Sequence, residues 1–151
     1  GNPLRRTDQG FYFLAERTLR AEQDDSAQGL SGFVRFGTAS RDIDRGLADS
    51  VPTVDWSGSL GLTYQGLFGG RDDDTAGIAV TTSHASNKYR IAQLALGNVF
   101  DSSETVVEIT YRAQLQPWLS VQPMVQRIFN PNMDAALQDA WVAGMRLEVA
   151  F

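Results

Sequence analysis

The single histidine, His84, is the first candidate for catalysis, because imidazole can serve as the general base for a serine nucleophile. It lies in the segment Ser83-His84-Ala85-Ser86. A hydrolase would also need a partner that orients the ring, with all three groups in a defined geometry. His84 is predicted at the end of a strand, where the chain enters a long loop. We therefore expect a solvated loop histidine and no enzymatic activity.

Two acidic clusters could suggest a metal site. Asp72-Asp73-Asp74 and Asp24-Asp25 offer the oxygen ligands that hard cations prefer. The spacing of an EF-hand is absent, however, and consecutive acids in a short turn are usually solvated. The chain has no cysteine, which excludes thiolate metal sites and disulfides. No phosphate-cradling loop precedes a helix. We therefore expect neither a metal nor another cofactor.

Composition narrows the classes of partner. The 151 residues include 13 basic and 18 acidic side chains, for a net charge of -5. Lys88 is the only lysine and the arginines are scattered, so a nucleic-acid-binding face is not expected. The lack of a run of about 18 apolar residues rules out a transmembrane helix. A transmembrane β-strand remains allowed, because it needs only about 9–11 residues with alternate ones apolar.

Alternation of apolar and polar residues is the clearest structural signal. In the segment 54–65, Trp56, Leu60 and Leu62 share one parity, and mostly serine, threonine and glutamine share the other. Such period-two alternation predicts a strand with one greasy and one hydrophilic face. Helical spacing within residues 86–96 indicates a short helix. Seven strands are predicted in all: 11–21, 30–38, 54–65, 75–83, 104–115, 119–129 and 141–151.

The lengths of the connections give a second signal. Short and long connections alternate along the chain, as in outer-membrane barrels with short periplasmic turns and longer external loops. This pattern predicts an antiparallel transmembrane β-barrel whose last strand runs from the outside to the periplasm. The short connections are 22–29, 66–74 and 116–118, and the long ones are 39–53, 84–103 and 130–140.

Aromatic residues fall where this orientation requires them. Trp141 and Phe151 lie ten residues apart on one face. Their separation along the membrane normal is roughly 25 Å, which matches the height of a lipid-facing band. Trp56 and Tyr64 repeat the arrangement in another strand. These four residues are therefore predicted at the membrane interfaces.

The charges in mid-strand decide which face meets lipid. A charged side chain in hydrocarbon would cost about 2–4 kcal/mol at the midplane, so the polar face should line a water-filled lumen. An alternative role, equally compatible with the sequence, is a ladder of cross-strand ion pairs that holds the wall together. Seven strands cannot close a bacterial barrel, which uses an even number, so we expect a piece of a larger barrel. The predicted lining residues are Arg35, Glu108, Arg112, Arg146 and Glu148.

Several motifs resemble one known family. The segment 111–123 reads Y-R-A-Q-L-Q-P-W-L-S-V-Q-P, and it resembles the signature Y-R-x-Q-x-x-P-W-L-S-x-Q-P of the carbohydrate-selective porins of the OprB type. Asn130-Pro131-Asn132 and the end 144–151 are similar to the family's Asn-Pro turn and its G-x-R-x-x-x-x-F terminus. Less specific fragments extend the resemblance over essentially the whole chain, namely 10–16, 32–35, 61–67 and 70–77.

This resemblance implies that residues 1–151 are the carboxy-terminal part of a barrel of about sixteen strands in the bacterial outer membrane. Its function would be passive diffusion of small sugars. The implied partners are sugars, outer-membrane lipid, and the missing amino-terminal strands or a partner chain that closes the barrel. A homo-oligomer is compatible with this interpretation. A bulge or an unpaired position is expected at Pro123, which cannot donate to a sheet ladder.

The alternatives belong to other classes. One is a general or structural outer-membrane barrel component, such as one chain of a split barrel, without sugar selectivity. Another is a soluble β-sandwich or barrel that binds a ligand. The position of the apolar face distinguishes the membrane barrels from the soluble protein. Residues such as Leu60 and Met145 would be buried in a dry interior of the soluble protein.

Overall fold

A computed structural model describes residues 9–21, 28–39 and 54–150. Within these ranges the chain is all-β, with one seven-stranded antiparallel sheet whose strands follow the order of the sequence. The predicted strands and the short helix are confirmed to within about two residues. The strands are β1 (Gly10–Ala21), β2 (Gly29–Ala39), β3 (Val54–Gln65), β4 (Thr75–Ala85), β5 (Ser103–Gln116), β6 (Leu119–Phe129) and β7 (Ala140–Val149), and helix α1 (Asn87–Ala95) lies between β4 and β5.

The register of the sheet aligns the alternating patterns of neighbouring strands. Leu60 pairs with Val34 on one side and with Val80 on the other, while its neighbour Ser59 pairs with Arg35 and Thr81. Because successive side chains point to opposite sides, each face keeps one predominant chemical character across the strands. We call them the apolar face, which includes Leu60, Leu62, Ile109, Met145 and Leu147, and the polar face, which includes Ser59, Thr81, Glu108, Gln126 and Arg146.

No layer of protein covers the apolar face in the described part of the chain. Leu60 is 60 % exposed, Met145 74 % and Leu147 62 %. The buried apolar side chains within the described ranges are Ala85 and Met133, both outside the middle of the sheet. A soluble sandwich or barrel would bury this face. The sheet instead leaves these large apolar side chains exposed on one face, which is rare in monomeric soluble domains.

The two ends of the sheet differ. The turn end carries the connections 66–74 and 117–118, and the loop end carries α1 and the residues 130–139. Within the described residues, β1 and β7 pair on one side only, so the sheet is open there. No helix in this part of the chain has the length and apolar character needed to cross a membrane.

Pro123 occupies the unpaired position expected for it. Pairing between β5 and β6 is continuous up to Thr110 with Met124, and it resumes at Ala113 with Val121. On its other side Pro123 remains in register with Met145. The Thr110 hydroxyl donates to the Pro123 carbonyl at 3.2 Å. The missing N–H of proline is thus accommodated by a local gap in one ladder.

Candidate functional site

The polar face is the candidate site, because the five predicted lining residues lie on it together. Glu108 and Arg112 are on β5, Arg146 and Glu148 are on β7, and Arg35 is on β2. Arg35 lies opposite Ser59, and Glu108 lies between Ala79 and Gln126. The register therefore spreads the charges over the width of the sheet.

These five charges do not form a ladder of ion pairs. The ion pairs among the described residues join Arg71 to Asp74 and Arg127 to Asp139, and His84 contacts Asp55. None of these contacts involves the five. The guanidinium and carboxylate groups thus keep hydrogen-bonding capacity for a solute or for water. The described contacts thus differ from a ladder of ion pairs, and the lining role of these residues stays a prediction.

Neutral side chains do connect the strands of the polar face. The Gln126 side-chain amide donates to the Glu108 carboxylate, and Gln122 Nε2 donates to Thr110 Oγ1 at 2.8 Å. Thr81 Oγ1 donates to Ser59 Oγ at 3.0 Å. Each bond joins adjacent strands, so it fixes the positions of side chains along the face. The Gln126 bond in particular orients the Glu108 carboxylate.

An aromatic ring lies among these polar groups. Phe33 is on β2, between Ser31 and Arg35 on the polar face, and its ring covers the buried Gly61 of β3. The sequence pattern places Phe33 on the hydrophilic side of its strand but gives no sign that a glycine opposite makes room for the ring. Predicting that Gly61 lies opposite Phe33 would require the register between the two strands, which a single sequence does not give.

A depression of about 380 Å³ joins these features. Its size falls within the range of small-molecule sites. Charged and amide groups on its walls can exchange hydrogen bonds with a neutral, hydroxyl-rich solute, and the ring offers an apolar face to such a solute. The lining consists of Phe33, Arg35, Ser59, Ala79, Thr81, Val106, Glu108 and Gln126.

Polar groups on the apolar face are largely paired. The hydroxyls of Thr82 and Thr105, which are register partners, hydrogen-bond at 3.0 Å. Arg127 lies near the loop end, where it pairs with Asp139 at 3.1 Å and stacks on Trp141 with its guanidinium carbon 5.4 Å from the ring centre. Arg17, on the edge strand β1, also lies on this face, opposite Gly32, and it forms none of the ion pairs among the described residues. A surface in contact with hydrocarbon requires paired polar groups. The buried Nε of Arg127, which has no hydrogen-bond partner, is an exception.

Aromatic residues gather at both ends of the apolar face. At the loop end Trp56 stacks between Phe36, with ring centres 6.2 Å apart, and His84, at 5.4 Å. Trp141 is near the same end, and Tyr64 is near the turn end. This placement matches the arrangement predicted for membrane interfaces, whose role stays a prediction. Phe151, the fourth predicted interface residue, lies outside the described residues.

The prediction that His84 is a solvated loop residue is wrong. His84 belongs to β4, its ring is parallel to that of Trp56 within 9°, and its Nδ1 lies 3.1 Å from Oδ1 of the buried Asp55. A one-residue bulge at Asp55 turns this carboxylate towards the ring. The histidine thus has a structural position at the loop end.

The expectation that all three consecutive acids are solvated is also wrong for one of them. Asp74 is 2 % exposed, and its Oδ1 accepts the backbone N–H of Gln114 at 2.8 Å. Its Oδ2 accepts Nε of Arg71 at 2.6 Å and the hydroxyl of Tyr111. Burial opposes ionisation of Asp74, but the hydrogen bonds from Tyr111, Gln114 and Arg71 outweigh it and lower its pKa. Asp74 therefore ties the 66–74 turn to β5.

Comparison with known proteins covers the whole chain. The family described as "Carbohydrate-selective porin, OprB family" matches residues 1–151. Porin B of Pseudomonas aeruginosa is 22 % identical over 97 % of this chain, which corresponds to 34 % of that protein. The solved structure "High pH structure of Pseudomonas putida OprB" superposes with a TM-score of 0.80 at 24 % identity, covering 94 % of this chain and 35 % of the other. The chain thus spans about a third of the length of these relatives.

Proposed function

The chain belongs to the OprB family of carbohydrate-selective porins, and we propose that it forms part of a water-filled outer-membrane barrel through which small carbohydrates diffuse passively. The polar face would line the lumen and the apolar face would meet lipid. Strands beyond this chain, from the rest of the protein or from a partner, would pair with β1 and β7, because open sheet edges are not tolerated in hydrocarbon.

One observation carries this proposal: the two faces of a single sheet have opposite character, and no described part of the chain forms a layer over either face. The exposed Leu60 and Met145 favour contact with lipid. The charged side chains of the polar face favour contact with water, since they would be costly in hydrocarbon. A barrel wall in a membrane satisfies both requirements, whereas a soluble domain satisfies only the second.

The preference for carbohydrate is supported by the chemistry of the polar face. A sugar carries no net charge, but each hydroxyl can both donate and accept a hydrogen bond. Glu108 accepts, Arg35 donates, and the Phe33 ring can cover an apolar patch of the sugar. None of these interactions requires the sheet to rearrange. A sugar could therefore exchange water contacts for side-chain contacts and move down its concentration gradient.

Liposome swelling with the full-length protein tests the proposal. Sugars should enter faster than zwitterionic amino acids of similar size. Arg112→Ala and Arg146→Ala should change the rate of sugar entry. Both variants should still fold, which is checked by the different gel migration of unheated and heated protein. Equal entry of sugars and zwitterions would instead support a general barrel without sugar selectivity. If the gel migration of the wild-type protein did not depend on heating, the proposal that it forms a β-barrel would be contradicted.

A further inference from the structure

A second concave site lies at the loop end, away from the polar-face depression. It is a cavity of about 380 Å³ between the α1 region and the 130–136 segment. Only residues of these two loop segments line it, so it shares no residue with the depression around Glu108. Its size is in the range of small-ligand sites.

The end of α1 forms one wall of this cavity. Gly97 adopts a left-handed conformation (φ 76°), its N–H donates to Leu94 O, and the N–H of Asn98 donates to Gln93 O, both at 3.0 Å. This pattern is a Schellman motif, in which glycine is favoured because it has no Cβ. The side chain of Asn98 also donates to Gln93 Oε1 at 2.6 Å. The two amides are thereby held at fixed positions.

The opposite wall is tied to the first by the backbone. Phe100 forms an isolated bridge with Asp134, and the N–H of Asp101 donates to Met133 O at 2.9 Å. Met133 is buried although its backbone is left-handed (φ 56°), a conformation that is costly for a residue other than glycine. Such strain persists only where the surroundings enforce it, and it is more frequent at binding sites.

The lining groups suit a neutral polyhydroxylated ligand. The lining includes three side-chain amides, those of Gln93, Asn98 and Asn132, and one carboxylate, that of Asp134. Tyr89 and Phe100 supply aromatic rings. The described lining residues include neither lysine nor arginine, and the nearby guanidinium of Arg90 lies over the Phe100 ring, 5.8 Å from its centre. An anionic ligand would meet Asp134 without a compensating cation in the lining. Amides and a carboxylate can instead share hydrogen bonds with hydroxyls that donate and accept.

We propose that this cavity binds a sugar at the mouth of the channel, as a capture site separate from the channel lining. The choice of a sugar as occupant rests on the proposed function. Capture at the mouth would raise the local concentration of sugar when the bulk concentration is low. Its contribution would vanish at high concentration, where the rate depends on the lumen alone.

Binding of glucose to the full-length protein in detergent micelles tests this site by saturation-transfer NMR. Asn98→Ala and Asp134→Asn should each weaken binding at least fivefold. In the wild-type protein the N–H of Ala136 donates to Asp134 Oδ1 at 2.9 Å. Asp134→Asn keeps a side-chain carbonyl that can accept this bond, so it should preserve the loop. Asn87→Ala, on the exposed start of the same helix and outside the lining, is the matched control and should bind glucose normally.

Liposome uptake then separates the two proposals. The capture-site variants should slow glucose entry severalfold at low concentration and leave it unchanged at high concentration. Glu108→Gln should retain the NMR signal of bound glucose. An absence of glucose binding, or binding that survives both capture-site substitutions, would overturn the inference while leaving sugar diffusion intact. Glucose binding without any sugar preference in swelling would instead contradict the proposed function.

Discussion

The ring of Phe33 occupies the space that a side chain at Gly61 would need: a Cβ atom at Gly61 would lie 2.5 Å from Cε1 of Phe33 and 2.7 Å from Cζ. The same Cβ would lie 2.9 Å from the carbonyl oxygen of Ile78 on β4. The Ile78 carbonyl belongs to the backbone of the sheet and cannot move aside as a side chain can, so glycine is strongly favoured at this position. The glycine leaves room for an aromatic ring directly over β3 on the polar face.

Gly61→Ala is expected to displace the Phe33 ring and reduce sugar entry severalfold, because the ring would no longer lie beside Arg35 and Glu108. Phe33→Ala should reduce entry to a similar extent. Gly37→Ala is the matched control, since its Cβ would meet neighbours only at 3.9 Å. Swelling rates of liposomes containing each full-length variant measure the effect. Normal sugar entry in both Phe33→Ala and Gly61→Ala would exclude the ring from the transport path.

Glu108→Gln removes a charge but keeps an oxygen that can accept the Gln126 amide. Hydrogen bonds to a charged group are stronger than those between neutral groups, by about 1 kcal/mol. We therefore expect sugar entry to change by about fivefold, and the weaker bond from Gln126 to lower the stability by at most about 1 kcal/mol. Glycine entry, measured in the same liposomes, is the control solute. Equal changes for glucose and glycine would show that Glu108 affects pore size or general electrostatics and not sugar recognition.

The sequence pattern was sufficient for the strands and for the division into faces, because alternation is a local property of each strand. Leu60 and Met145 can be assigned to the apolar face in this way. The burial of Asp74 could not be predicted from the sequence, which does not distinguish it from Asp72 and Asp73. Its hydrogen-bond donors Tyr111 and Gln114 are far along the chain. The contacts of His84 likewise depend on the bulge at Asp55, which alternation alone does not reveal.

Asp74→Asn is expected to destabilise the folded protein by roughly 1–3 kcal/mol, because the amide cannot accept all the hydrogen bonds that converge on the carboxylate. The partly exposed Arg71 contributes little of this amount. Asp73→Asn, at the exposed neighbouring position, is the matched control and should be nearly neutral. Urea unfolding of the full-length protein in micelles measures the difference. Equal effects of the two substitutions would contradict the role of Asp74.

The stability that the Asp74 carboxylate contributes should depend on pH. The pKa of Asp74 is lower in the folded protein than its ordinary value, as hydrogen bonds from Tyr111, Gln114 and Arg71 overcome the effect of burial. The unfolded chain then binds more protons at low pH, so the stabilisation is complete above about pH 3.9 and decreases as pH falls towards the folded-state pKa. The stability difference between wild type and Asp74→Asn should follow this course. A difference that titrates near neutral pH would point to another group.

Leu60→Arg and Ser59→Arg place the same charge at the same depth of β3 on opposite faces. On the apolar face arginine would enter hydrocarbon at a cost of about 2–4 kcal/mol near the midplane. On the polar face it would enter water, and the main loss would be the bond from Thr81 to Ser59, about 1 kcal/mol. Unfolding of the full-length protein in lipid vesicles should therefore show the larger destabilisation for Leu60→Arg. The opposite order would place Leu60 towards the lumen and reverse the assignment of the faces.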